Sequence, residues 1–183
     1  IKQVPIGGDG GWDYVTVDPQ AHRLYVAHAT RVVVVDIDAG RVVGEIPDTP
    51  GVHGFAVAPD LGRGYTSNGR ANTSTIVDLK TLKALGTVAT GGNPDAIFYE
   101  PSTHEVYTMN GTGKSATVFN GATGAVVATI ALGGKPEAVA QDVATGRLFV
   151  NLEDTAAIAV IDSSSHALKA TWPLAGCEEP TGL

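Results

Sequence analysis

Four ionisable residues open four copies of one pattern in this chain. Aligning "GWDYV", "VHGFA", "PDAIF" and "PEAVA" places Asp13, His53, Asp95 and Glu137 in one register, at intervals of 40, 42 and 42 residues, with Thr181 next in the series. Carboxylates and an imidazole brought together can hold a divalent cation. Hard ions such as Ca²⁺ or Mg²⁺ take several oxygen ligands, and one acid per repeat can supply them, with Asp95 and Glu137 as the metal-binding pair. The same groups suit a cationic or polyhydroxylated small molecule. A structural role stands beside these: an acid after Pro at a loop-to-strand junction bonds nearby backbone N–H groups and fixes the crossing. If the acids do converge, three carboxylates spaced about 8 Å apart repel by about 2 kcal/mol per pair at an effective dielectric of about 20. A counter-charge is then required, from a metal, a protonated His53, an arginine, or raised acid pKa values.

Convergence depends on the elements between the acids. The strand endings "VVVVD", "STIVD", "ATVFN" and "IAVID" set Asp36, Asp78, Asn120 and Asp162 at a constant interval of 42 residues. The same phase recurs in "RLYVAH", "RGYTSN", "EVYTMN" and "RLFVNL", led by Tyr25, Tyr65, Tyr107 and Phe149. Each repeat carries four short runs of alternating or β-branched residues separated by Gly, Asp, Ser and Asn, which tolerate turn dihedrals or bond their own backbone. A four-stranded antiparallel unit of about 42 residues is a propeller blade. The fold expected is therefore all-β, a β-propeller with four complete blades at about 11–50, 51–91, 92–133 and 134–176. Residues 1–8 read as the outer strand of a preceding blade, and residues 177–183 as the start of the next.

Antiparallel alternation puts the start of strand A, the end of strand B and the start of strand C at one end of a blade. Strand A is innermost, so Asp13, His53, Asp95 and Glu137 are expected around the channel mouth. His28, Asn68 and Asn110 end the B strands at that same end, with Arg70 and Asn72 just beyond. These complete the candidate ligand-binding set. Asp36, Asp78 and Asp162 precede turns and are assigned to backbone bonding. His22, His104 and His166 fall in turns at the opposite end and read as solvated, and Trp12 and Trp172 flank the blade crossings as packing residues. "NGTGKSAT" at 110–117 lacks the first glycine of a phosphate loop, having Thr108 there, and leads into a strand where a helix is required. No Ser-His-Asp arrangement stands out.

The residues "YVAH", "YTSN" and "YTMN" at 25–28, 65–68 and 107–110 resemble the Tyr-Val-Thr-Asn signature of the YVTN-type β-propeller repeats. With "NPDA" and "KPEA" opening blades, the whole chain is similar to the YncE-like members of that family. The fourth copy departs, with Leu152 where Asn is expected. The resemblance implies a seven-bladed ring, export to the periplasm or cell surface, and no assigned reaction. A non-catalytic binding or interaction scaffold is the function expected, its partner a small molecule or protein at the channel mouth, together with the missing blades of the same chain. Two alternatives remain. One is a metal-dependent lactonase of the gluconolactonase kind using Glu137, Asp95, Asn68 and Asn110, whose cation polarises a carbonyl. The other is an exported redox-enzyme propeller subunit, for which no cofactor-attachment residue is visible.

Composition narrows the classes. Of 183 residues, 43% are hydrophobic and only 6% aromatic, with 23 Gly and 10 Pro, as suits many short strands and tight turns. A net charge of −7 with 12 scattered basic residues excludes a broad nucleic-acid footprint. No apolar run reaches the roughly 20 residues of a membrane span. An arc of four blades leaves two end faces to be covered, which points to about three further blades in a longer chain. The single cysteine, Cys177, is expected to pair with a cysteine in those blades.

Overall fold

A computed structural model of the protein describes residues 3–183. Each of its four sheets is a meander of four antiparallel strands, numbered here in chain order. The first holds β1 (Trp12–Asp18), β2 (Arg23–His28), β3 (Arg31–Asp36) and β4 (Arg41–Ile46). The second holds β5 (Val52–Ala58), β6 (Arg63–Asn68), β7 (Thr73–Asp78) and β8 (Ala84–Ala89). The third holds β9 (Pro94–Glu100), β10 (Glu105–Asn110), β11 (Ser115–Asn120) and β12 (Val126–Ala131), and the fourth β13 (Pro136–Asp142), β14 (Arg147–Leu152), β15 (Ala157–Asp162) and β16 (Ala167–Pro173). The innermost strands β1, β5, β9 and β13 touch in succession, so the sheets radiate from a shared axis as propeller blades. The all-β propeller architecture expected from the repeat is what the chain adopts.

Turn chemistry closes each outer hairpin. Asp78 Oδ1 accepts from the backbone N–H groups of Lys80 and Thr81, and Asp162 Oδ1 from that of Ser165. Asn120 does the same for Ala122 and Thr123, and Asp36 for Ala39. Between blades, packed faces form the core. Tyr25, Ala27, Val32 and Val34 of the first sheet meet Val52, Phe55 and Val77 of the second, and Tyr107, Met109 and Val118 of the third meet Leu148, Val150 and Ile161 of the fourth. One compensation is readable in residue sizes. Gly64 stands where the other repeats have Leu or Val, and the Phe55 ring fills the space a Cβ there would need, at 2.1 Å.

Two of the tyrosines that lead the B strands, Tyr65 and Tyr107, staple neighbouring blades. Tyr65 Oη donates to the Gly121 carbonyl at 2.9 Å, and Tyr107 Oη to the Ser163 carbonyl at 3.1 Å, each on the following sheet. At the chain ends the expectation of strands is not met among the described residues. Residues 3–8 form no ladder; instead Val4 and Ile6 lie on the free face of the first sheet against Val26, Val33 and Val35. Residues 177–183 are also irregular, with the Pro180 carbonyl accepting from Asn151 Nδ2 at 2.7 Å. A strand requires a ladder partner, and neither segment has one beside it. Ile1 and Lys2 lie outside the described residues.

Candidate functional site

The same irregularity occurs at the start of all four inner strands. In β1 the pairing jumps from Trp12–His28 to Val15–Val26, and in β5 from Val52–Asn68 to Phe55–Thr66. The steps in β9 and β13 match, between Asn110 and Thr108 and between Pro136 and Val139. Two residues therefore oppose one, which is a β-bulge, and the bulged pairs are Asp13-Tyr14, His53-Gly54, Asp95-Ala96 and Glu137-Ala138. A bulge bends the strand and re-aims its side chains. Its freed N–H groups find side-chain acceptors on the B strand: Gly54 N–H donates to Ser67 Oγ at 2.9 Å, and Ala138 N–H to Asn151 Oδ1 at 2.9 Å.

The bulges bring the four expected residues to one end of the channel. His53 Nδ1 donates to Asp13 Oδ2 at 2.7 Å and stands 3.9 Å from Asp95 Oδ2. Ligand atoms of Asp13, His53 and Asp95 all lie within 4.8 Å of one another. Asp95 is 8% exposed, and among the described residues its carboxylate has the His53 ring as ion-pair partner and no side-chain hydrogen bond. Glu137 stands to the side, its Oε2 buried without a hydrogen-bond partner and 3.7 Å from Lys135 Nζ. Lys135 also pairs with Glu153. Of the expected metal pair, Asp95 converges with Asp13 and His53, whereas Glu137 lies 3.7 Å from Lys135 of its own blade opening.

Electrostatics follow this crowding. Burial raises the Asp95 pKa, opposed by His53 and reinforced by Asp13. Burial likewise raises Glu137, and Asp95 adds to it. The hydrogen bond to Asp13 raises His53. The counter-charge at the mouth is thus His53 and Lys135, whose own pKa is raised chiefly by its bond to Glu153. Arg70 is exposed, its stem packed by Gly51, and takes no part in the ion pairs.

The other expected ligands turn away from the channel. Asn68 is buried, its Nδ2 donating to Thr73 and Thr75 Oγ1; Asn110 Nδ2 donates to Ser115 Oγ and Thr117 Oγ1, while its Oδ1 accepts from Thr108. Both amides tie strand B to strand C inside their own sheet. His28 is fully buried, its ring stacked on Trp12 at 3.7 Å and its Nδ1 donating to the Gly11 carbonyl. Strand-end polarity was a sound signal for these positions and a poor one for direction, since the last side chain of a B strand points at its own sheet. The turn histidines are paired as well: His22 with Asp38, His104 with Asp60 and Tyr99, and His166 with Glu105. Cys177 is exposed and free.

Three residues of the site had no weight in the sequence. Lys135 and Glu153 are two. The third is Tyr14, which occupies the position that is Gly54, Ala96 and Ala138 in the other blades. Its hydroxyl reaches the Glu137 carbonyl at 3.5 Å, and burial together with Asp95, Glu137 and Asp13 raises its pKa. A bulky residue in a register of small ones was the signal available. Below the mouth lies a cavity of about 320 Å³ lined by Tyr14, Phe55, Ile97, Val139 and the terminal Thr181 and Leu183 among others.

Neither a protein-family model nor a curated protein matches the chain. In structure, 1265 solved chains match, too many for the fold to single out an activity. Among them is Kuenenia stuttgartiensis hydrazine synthase, with a TM-score of 0.82 and 19% identity over 87% of this chain and 48% of that one. The chain therefore spans about half the length of that solved chain, and likeness at this identity shows the fold alone. No helix among the described residues is long and apolar enough to cross a membrane. What the comparisons and the geometry establish together is an all-β propeller chain of four blades.

Proposed function

We propose that the protein is a YVTN-type, YncE-like propeller that works as a non-catalytic binding scaffold, taking a cationic ligand at the channel mouth. The observation that carries this is the Asp95 carboxylate, 8% exposed, without a side-chain hydrogen-bond donor among the described residues, and facing a cluster that already contains Asp13. Buried charge without a donor is costly, and a cation entering the mouth removes that cost. The cavity beneath, with a mixed polar and apolar lining, gives room for a ligand body behind a positive head. Thermal melts with Ca²⁺, Mg²⁺, Mn²⁺, Zn²⁺ and propylammonium test the reading. A rise in Tm that disappears in Asp95→Asn supports it; no response to any of these cations overturns it.

The lactonase reading calls for amide oxygens beside the ion; Asn110 Oδ1 already accepts from Thr108, and Asn68, whose Oδ1 is buried without a partner, is held through Nδ2 by Thr73 and Thr75 of its own sheet. The resemblance further supports export, a seven-bladed ring and a partner for Cys177 in the remaining blades. Intact mass and compartment of the protein from its source cells check these. A monomer of 18.7 kDa in the cytoplasm would reject them.

A further inference from the structure

Charge makes the mouth attractive to cations in general; the atoms that converge there narrow the kind. We propose that Asp13, His53 and Asp95 form a site for a divalent first-row transition ion of the zinc or manganese class, held by one imidazole nitrogen and two carboxylates from three successive blades. This deepens the reading of the mouth as a cation site and rests on it.

The donor span fits one ion. The three ligand atoms lie within 4.8 Å of one another, and donors on opposite sides of an ion lie about 4 to 5 Å apart at ligand distances of about 2.0 to 2.5 Å. Asp95 supplies a second and independent pointer. It is 8% exposed, its carboxylate accepts no side-chain hydrogen bond among the described residues, and it faces a His53 nitrogen 3.9 Å away whose proton is already given to Asp13 at 2.7 Å. An ion takes the place of that proton and reaches both acids at once.

The ring is also held as a ligand ring must be. Its other nitrogen, Nε2, faces the Asn93 side chain. Asn93 is itself fixed, its backbone N–H donating to Asn72 Oδ1 at 2.8 Å. Gly69 leaves the space: a Cβ there would lie 2.5 Å from His53 Nε2 and 2.7 Å from Asn93 Oδ1. A second partner that orients the imidazole is a general feature of histidine metal ligands. An imidazole in the set favours transition ions over Ca²⁺ and Mg²⁺, which take oxygen donors. The remaining histidines do not compete, since among the described residues no other group of three such donors converges.

The test uses metal-free protein carrying Cys177→Ser, so that the exposed thiol takes no zinc, titrated calorimetrically with Zn²⁺, Mn²⁺, Ca²⁺ and Mg²⁺, with propylammonium in parallel. The expected result is one Zn²⁺ per chain, bound about tenfold or more tighter than Ca²⁺. His53→Gln and Asp95→Asn should each weaken Zn²⁺ by about tenfold or more, with circular dichroism confirming that both fold, while His104→Gln at the opposite end changes nothing. Ca²⁺ binding as tightly as Zn²⁺, and indifferently to His53→Gln, overturns the proposal in favour of an oxygen-only site. Propylammonium binding without any divalent ion overturns it while leaving the mouth a cation site. Silence with every cation removes both.

Discussion

Asp95, Glu137 and His53 share one consequence of crowding: each holds its proton more tightly in the folded protein than in the unfolded chain. For the two acids, the folded state loses ground as pH rises through their raised pKa values. For His53, stability is complete below its ordinary pKa and is lost as pH climbs through the folded one. The signs agree, so Tm at constant ionic strength should fall as pH rises from the ordinary carboxylate range through and beyond the ordinary histidine range. Asp95→Asn should flatten that fall and raise Tm at the alkaline end; a flat wild-type profile would refute the account of the mouth. The turn aspartates run the other way at lower pH. Asp162, held down to about 2 by Ser164 and Ser165, contributes stability above the ordinary carboxylate range that is lost as pH falls through its folded value. The two windows are separate and can be read in one series of melts. Four of the mouth residues were legible as a register of ionisable types. Tyr14 was legible only as an odd size among Gly54, Ala96 and Ala138, and Lys135 and Glu153 not at all, because their pairing joins the opening of the fourth blade to the turn after β14, which the alternation of neither strand marks.

Strands act here through two devices, the bulge that opens each inner strand and the tyrosine that links the second blade to the third and the third to the fourth. The tyrosines offer an internal comparison. Tyr107 and Tyr65 each donate to a carbonyl on the following blade. The Tyr25 hydroxyl reaches no carbonyl of the following blade; the Arg23 guanidinium beside it donates to the matching Leu79 carbonyl at 2.7 Å. Tyr107→Phe should therefore cost about 1 kcal/mol, leaving a buried carbonyl without its donor, and Tyr25→Phe about 0.5 kcal/mol or less. Urea unfolding of the two variants measures the difference; equal losses would deny the staple. The repeat period and turn chemistry that built these strands were plain in the sequence. The bulges were not, since a two-against-one pairing leaves no mark on the alternation of one strand.

The four blades form an arc whose first sheet presents a free face. Val15 and Val17 on β1 are 60% and 55% exposed, whereas Phe55, the counterpart of Val15 in the second blade, is packed against Tyr25 of the blade before it. Over the middle strands of that face, Val4 and Ile6 cover Val26, Val33 and Val35. Ile6→Asp should lift this cover and cost about 1 to 2 kcal/mol of apolar burial. It should also raise binding of a hydrophobic dye. No change in dye binding would show that the segment contributes little to the face.

The amino-acid sequence by itself determined the period, the four-stranded unit, the turns and the list of ionisable residues at blade openings, because each rests on local rules of alternation and side-chain-to-backbone bonding. Only the tertiary structure decided which of those residues meet. The bulges and the packing of successive sheets bring Asp13, His53 and Asp95 together and turn Asn68 and Asn110 inward to their own strands. Direction at a strand end and distance across an axis are products of packing between sheets, and no stretch of sequence shorter than the blades themselves encodes them.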